Sequence, residues 1–474
     1  MTTFANAVKN QETTTTNGMK AYKSTSNPLV DLFFKIGASR GKDITREFTA
    51  AFAENKALAL RIAQWARDVR EGAGERQIFR DILVYLEKAD PEAASLLMNK
   101  VPEIGRWDDL LVFTNSALKA QAFSLIQKAL NEGNGLCAKW MPRKGPIAAE
   151  LRSFMGMTPK SYRKTLVGLT DVVETKMCAR DWENIDFSKL PSLASARYRT
   201  AFYKNSEKFK DYVAKLASGD KTVKVNAGAV YPYDVLKSII MQGWSARPLT
   251  KTDRDFIIAQ WDALPNYVED ANILPMVDVS GSMTCPAGGG HRSGSSVRCI
   301  DVAVSLGLYL ADKNKGSFKD VFCTFSSTPE LVNLKGDIIQ KVEQMEESSW
   351  QMTTNVSAAF VEILKVAKSN NVPQEEMPKV LLILSDMQFN CVSDGSSAME
   401  DVRKKYEAAG YEVPRIVFWN INSNDNVPVK HNENGAALVS GFSPTIVRNV
   451  LNAGERFDPE TIMLETIMSS RYDL

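Results

Sequence analysis

Histidine is almost missing from this chain: 474 residues hold two, His291 and His431. A multi-histidine metal centre is thereby excluded, and any serine–histidine chemistry would have to use one of these two. Both lie in polar, Gly- or Asn-containing stretches and read as solvated loop residues. Paired cysteines are missing as well. Cys137, Cys178, Cys285, Cys299, Cys323 and Cys391 are scattered without a CxxC spacing, which fits reduced, structural thiols better than a disulfide framework or a zinc cage. No window reaches the roughly 18 uninterrupted apolar residues of a membrane span. The opening "MTTFANAVKNQETTTTNGMKAYKSTSN" lacks the apolar centre of a signal peptide. A cytoplasmic protein with no membrane partner is expected. The phosphate-loop pattern GxxxxGK[ST] and a nucleophile elbow are also absent, and an enzyme is not expected.

What is present is a globular composition, 44% hydrophobic and 24% charged, in a chain long enough for two or three domains. The net charge of +2 hides an asymmetry. Residues 1–270 carry 40 Lys/Arg against 31 Asp/Glu, while residues 271–474 carry 18 against 25. A basic half and an acidic half suggest two partners of different kinds.

Three segments follow from the hydrophobic pattern. Residues 1–27 are Thr-, Asn- and Ser-rich and read as a flexible tail. Residues 28–264 carry apolar residues three and four apart in short runs such as "KALALRIAQWARDV" and "ERQIFRDILVYLEK", broken by Gly, Pro or Asp. Such helices cannot bury their faces singly and should stack as an irregular α-helical repeat. Near "ALPNYVEDAN", at 263–272, the period changes. In residues 265–474 the strand-length runs "ILPMVDV", "DVFCTFS", "KVLLILSD", "PRIVFWNI" and "AALVSGF" alternate with helical segments. That alternation predicts a doubly wound α/β domain with a parallel sheet.

In such sheets ligands bind outside the carboxyl ends of the strands. "PMVDVSGSM" places Asp278, Ser280 and Ser282 on alternate residues where the first strand ends, and "LLILSDMQF" ends a later strand at Asp386. "SWQMTTNVSAAF" sets Thr353 and Thr354 just ahead of a helix. Two carboxylates and three hydroxyls are hard oxygen donors that suit Mg²⁺ or Mn²⁺ with an open position for a partner's Asp or Glu. The bland alternative for any one of them is a turn or helix cap.

Asp-x-Ser-x-Ser, then Thr-Asn before a helix, then Ser-Asp at a strand end resembles the metal-ion-dependent adhesion site of von Willebrand factor A domains. The resemblance implies that Ser280, Ser282 and Thr354 approach the metal directly or through water, with Asp278 and Asp386 orienting them. Thr354 is favoured over Thr353 because Asn355 follows it. The glycine-rich "TCPAGGGHRSGSS" after Met283 departs from the usual short connection. It reads as a flexible rim where Arg292 and Arg298 meet an anionic partner, or as plain loop.

Between Lys139 and Lys224 lie 18 Lys/Arg against 9 Asp/Glu, interleaved with Trp140, Tyr162, Trp182, Tyr198, Phe202 and Tyr203. Basic residues neutralise phosphates and exposed aromatics stack on unpaired bases, so Lys139, Arg143, Lys144, Lys160, Arg163, Lys164, Arg197, Arg199 and Lys204 are candidate RNA contacts. Each single aromatic reads better as core.

A helical half followed by an adhesion-site A domain resembles the Ro autoantigen family, whose TROVE module is a ring of helical hairpins closed by an A domain. "WARDVREGAGERQIFRDIL" (65–83) and "VPEIGRWDDLL" (101–111) look like that module's signature stretches. On its own, "REGAGER" reads as a Gly-containing turn between two helices with its charges outside. "AKWMPRKG", "SYRKTLVGL" and "VNAGAVYPYDVL" are similar to a related set of proteins, phage-encoded ones among them, with no assigned function. The resemblance implies a non-enzymatic RNA-binding protein, with structured small RNAs on the basic outer face and single-stranded ends entering the ring. The competing reading is a protein-interaction or phage assembly module that grips a partner carboxylate without RNA.

Overall fold

The computed structural model describes residues 11–228, 230–240, 248–269, 271–288, 297–325, 328–347 and 354–474. Residues 11–27 do not form the flexible tail that their composition suggests. Strands β1 (Glu12–Thr14) and β2 (Lys20–Tyr22) pair antiparallel, with Thr14 opposite Lys20. Several of this segment's polar groups find partners far along the chain. Thr15 Oγ1 donates to the Phe389 carbonyl at 2.5 Å, Asn17 Nδ2 donates to the Gln388 carbonyl at 2.6 Å, and Tyr22 and Val427 exchange backbone hydrogen bonds at 2.9 and 2.8 Å.

The helical series opens with α1 (Pro28–Ile36), where Asn27 accepts the N–H groups of Leu29 and Val30 and proline fills the first turn. Helices α2 (Thr45–Glu54), α3 (Lys56–Arg67), α4 (Arg76–Ala89) and α5 (Pro91–Ile104) follow, each packed on its predecessor in sequence. Asn55 and Asp90 cap α3 and α5. A 3₁₀ stretch, Trp107–Asn115, leads into α6 (Lys119–Asn131), α7 (Gly135–Trp140), α8 (Pro146–Phe154) and α9 (Pro159–Leu169). Helices α10 (Val173–Cys178), α11 (Ser192–Asn205) and α12 (Glu207–Ala217) gather around a separate small core of Ile185, Phe187, Phe202, Phe209 and Phe256. The chain then returns through α13 (Pro232–Leu236) and α14 (Lys251–Asp262), the latter starting from a reciprocal Thr250–Asp253 cap.

The second half is a six-stranded sheet in the order β5-β4-β3-β6-β7-β8. Its strands are β3 (Ile273–Asp278), β4 (Val321–Phe325), β5 (Glu330–Asn333), β6 (Val380–Ser385), β7 (Arg415–Asn420) and β8 (Ala436–Ser440). All pairs are parallel except β4 with β5. β3, β6 and β8 are buried along their whole length, as continuous apolar strands under helices must be. The path moves one way from β3 to β4 through α15 (Cys299–Lys313). It moves the other way into β6 through α17 (Val356–Ser369), after α16 (Ile338–Glu347), and on to β7 through α18 (Ala398–Ala409). Right-handed crossovers running in opposite directions put α15 on one face and α17 and α18 on the other. The reversal falls at β3, where Gly307 lets α15 approach: a Cβ there would meet Val277 Cγ2 at 2.3 Å. Helices α19 (Ile446–Asn452) and α20 (Pro459–Ile467) follow β8.

The two halves share one apolar core that runs from Met19 to Tyr472. Helix α1 lies directly on β8, where Ser440 Oγ donates to the Phe33 carbonyl at 2.8 Å and accepts the Gly37 N–H at 3.1 Å.

Candidate metal edge and cationic surface

The end of β3 delivers Asp278, and the loop after it delivers Ser280 and Ser282; the end of β6 delivers Asp386. These are the two strands that flank the reversal of strand order, where open α/β sheets form their crevice. Asp278 is fully buried. Its Oδ1 accepts the Ser280 N–H at 3.0 Å and its Oδ2 accepts the Ser385 hydroxyl at 2.6 Å. Ser280 and Ser282 hold their Oγ atoms 3.1 Å apart, and the Ser282 hydroxyl lies on the Asp386 side of the group. Ser282 is the exposed member of the group. Asp386 accepts the Gln388 N–H at 3.1 Å across a turn in which Met387 takes a left-handed conformation, φ 65°. Asn424 Nδ2 donates to the Asp386 carbonyl at 2.6 Å from one side. On the other, the N-terminal ribbon presents the Thr16 N–H to Gln388 Oε1 at 2.6 Å. Thr354 is buried on the same edge, its carbonyl accepting the Asn390 N–H at 2.9 Å. Asn355 is a helix cap, accepting the Ala358 N–H at 2.9 Å. Thr353, His291 and Arg292 lie outside the described residues.

Burial pushes the Asp278 carboxyl well above its ordinary range, and the neighbouring Asp386 charge adds to the shift; burial also raises Asp386. Neither carboxylate forms an ion pair among the described residues. Two buried like charges with no cation are costly as they stand, and a divalent ion would relieve them. Two carboxylates beside hydroxyls are the donor chemistry that Mg²⁺ or Mn²⁺ takes, so the residues fit such an ion. Among the described residues no three His, Cys, Asp or Glu side chains gather in one place.

The rim residue Arg298 is not offered to a partner. It pairs with Asp301 at 2.5 Å and donates to the Ile240 carbonyl at 3.2 Å; at the start of α15 its backbone N–H also donates to the Asp301 carboxylate, at 2.8 Å.

The structure divides the nine candidate RNA contacts. Lys139, Arg143 and Lys144, at and after the end of α7, are brought beside Lys160, Arg163 and Lys164 on α9. The two elements are tied where the Tyr162 hydroxyl donates to the Pro142 carbonyl at 3.1 Å. All six cations are exposed, and none pairs with a carboxylate among the described residues. Arg197, Arg199 and Lys204 sit apart on α11. Arg199 is a structural residue rather than a contact: it is half-buried and bound to Asp253 at 2.7 Å. The aromatics are mostly core. Tyr162 and Phe202 are buried, and the face of Trp140 is covered by the Arg106 guanidinium at 3.6 Å, while Tyr203 stays exposed.

A second cationic feature was not visible in the sequence. A cleft of about 1310 Å³ is lined by Arg40, Lys42, Arg67, Arg76, Lys88 and Arg106, with Glu75 and two aspartates among them. Arg40 is held by Glu75 at 2.8 Å and Arg67 by Asp109 at 2.7 Å, whereas Arg76 and Lys88 form no ion pair among the described residues. Burial, with Arg106 and Arg80 nearby, presses the Arg76 pKa down. Of the charges in "REGAGER", Arg70, Glu71 and Arg76 are outside, whereas Glu75 is buried, as are Arg67 and Asp68 just before it, each satisfied by a partner that the local pattern cannot reveal.

Residues 15–121 and 148–274 match the family described as Domain of unknown function (DUF2828), and residues 272–471 match Domain of unknown function (DUF7788). The crystal structure of the Deinococcus radiodurans RO (RSR) protein superposes with a TM-score of 0.49 at 14% identity, covering 94% of this chain and 100% of that one, a likeness too weak to carry fold or activity across. Uncharacterized protein L728 of Acanthamoeba polyphaga mimivirus is 31% identical over 519 aligned positions, spanning 96% of this chain and 86% of the relative. On that extent of identity the chain belongs to the same family as the viral protein L728.

Proposed function

We propose that this protein is a non-enzymatic RNA-binding scaffold, with phosphates held by the α7–α9 surface and a second protein docked at the sheet edge. The observation that carries the reading is the group of six exposed cations, Lys139, Arg143, Lys144, Lys160, Arg163 and Lys164, on two packed elements and without carboxylate partners among the described residues. Clustered cations that are not neutralised internally raise the local potential and release counterions when a phosphate backbone replaces them. The resemblance of residues 65–83 and 101–111 to the TROVE module supports the same reading. At the edge, Ser280, Ser282 and Thr354 with Asp278 and Asp386 would hold Mg²⁺ or Mn²⁺. The ion would supply an open coordination position for an Asp or Glu of the partner.

The test is to purify the protein with its cargo and sequence any nucleic acid that travels with it, beside a variant carrying R143E, K144E, R163E and K164E. RNA should accompany the wild type and be lost from the variant. The slope of log K against log salt should flatten by roughly 0.7 for each single-strand phosphate contact removed. RNA absent from both preparations would overturn the reading. A second reading, a protein-assembly module without RNA, is favoured by the exposure of Ser282 at the mouth of an otherwise buried edge. It predicts binding that EDTA abolishes and salt barely changes.

A further inference from the structure

Cys285 and Cys299 are fourteen residues apart and belong to no cysteine motif, yet their sulfurs lie 3.6 Å from each other. Chain geometry brings them there. Pro286 and Arg298 form an antiparallel bridge; the Ala287 N–H donates to the Val297 carbonyl at 2.9 Å, and the Cys299 N–H donates to the Cys285 carbonyl at 3.0 Å. Residues directly opposite in such a pair hold their Cα atoms about 4.5–5.5 Å apart, within the roughly 4.4–6.8 Å span that a disulfide needs. The two thiols differ in access. Cys285 is partly exposed, and Asn422 Nδ2 points at its sulfur from 3.5 Å, whereas Cys299 is buried. The other four cysteines have no sulfur in contact with another among the described residues: Cys137 and Cys323 are buried, and Cys178 and Cys391 are exposed.

We propose that Cys285 and Cys299 form a dithiol site that closes to an intramolecular disulfide by exchange with a small-molecule disulfide of the glutathione type. The Cys285 thiolate, having given its proton to water, attacks the incoming S–S bond. A mixed disulfide forms at Cys285 and one small thiolate leaves. Cys299 then loses its proton and its sulfur attacks Cys285, expelling the second thiolate. The two protein thiols are oxidised and one small disulfide is reduced to two thiols, so atoms and electrons balance. The bond ties the 3₁₀ turn Gly281–Thr284, which carries Ser282, to the first residue of α15. The site depends on neither RNA nor metal.

The test equilibrates the full chain in buffers of graded oxidised-to-reduced glutathione ratio, quenches with acid, alkylates free thiols under denaturing conditions and maps peptides by mass. Cys285 and Cys299 should leave the thiol pool together and appear as one linked peptide pair lighter by two hydrogens. Cys299→Ala should instead accumulate a glutathione adduct on Cys285, and Cys285→Ser should leave Cys299 unmodified. If Cys299→Ala does not fold, the wild-type time course still decides: the adduct at Cys285 should rise and decay as the linked form grows. A stable adduct on Cys285 in the wild type, or both thiols still alkylated at the most oxidising ratio, would overturn the proposal.

Discussion

At the scale of single residues, the buried charges distinguish this molecule most. Asp109 is fully buried and accepts from Arg67 Nε and Arg80 Nε, both at 2.7 Å, and from the Arg106 N–H at 2.9 Å. Three donors satisfy one carboxylate, so its removal leaves Arg67 buried and unpaired. Asp109→Ala should lower stability by about 3–5 kcal/mol, read as a shift of the denaturant midpoint. Asp278 is the opposite case, a buried carboxylate with hydrogen bonds but no cation among the described residues. Wild type should gain about 2.7 kcal/mol from Mn²⁺ at a hundred times its dissociation constant. Asp278→Asn should gain nothing from Mn²⁺ while melting, metal-free, at least as high as the wild type. Equal Mn²⁺ stabilisation in both would remove the ion from this edge. None of this pairing is legible in the sequence, where Asp109 is one of two adjacent acids in "RWDDLL" and hydrophobic periodicity carries no sign of a buried ion pair.

At the scale of elements, legibility follows length and burial. Strands β3, β4, β6, β7 and β8 were readable because each is a near-continuous apolar run, and the oxygen donors were readable because strand ends in a doubly wound sheet are where chains place them. Strand β5, "ELVN", is a short half-exposed edge, and β1 and β2, "ETT" and "KAY", are three residues each with no apolar run. Their only signal is the partner, and for the ribbon that partner is more than 370 residues away. The turn between α3 and α4 shows the same limit from the other side. Its glycines advertise a turn, but not what crowds it: Gly74 has φ +73°, and a Cβ there would lie 2.3 Å from the Tyr231 hydroxyl. Gly74→Ala should therefore cost roughly 1–3 kcal/mol and lower the melting temperature by several degrees. An unchanged melting point would mean that the 65–83 hairpin does not need the "VYPYDVL" segment against it.

At the scale of the whole molecule, the change of pattern near residue 263 marks a change of architecture without marking a break in the core. Helix α1 lies on β8, and the Arg471 guanidinium and Tyr472 hydroxyl both reach Asp68 at the end of α3. Residues 265–474 produced alone should aggregate or bind a hydrophobic dye, because the side of β8 that α1 covers would be bare. The intact chain should melt in one transition, with calorimetric and van't Hoff enthalpies in agreement. Two resolved transitions would show that the halves are separable after all. No helix among the described residues is long and apolar enough to cross a membrane.

The ribbon also sets an order of events on the ribosome. Thr15 waits for the Phe389 carbonyl, 374 residues later in synthesis. At about 5–20 residues per second that interval is roughly 20 to 75 seconds, long after the early helices can have paired with one another. The turn that carries Asp386 therefore acquires its clasp from a ribbon made long before it, and the edge takes its final shape only after the helices between them have been synthesised.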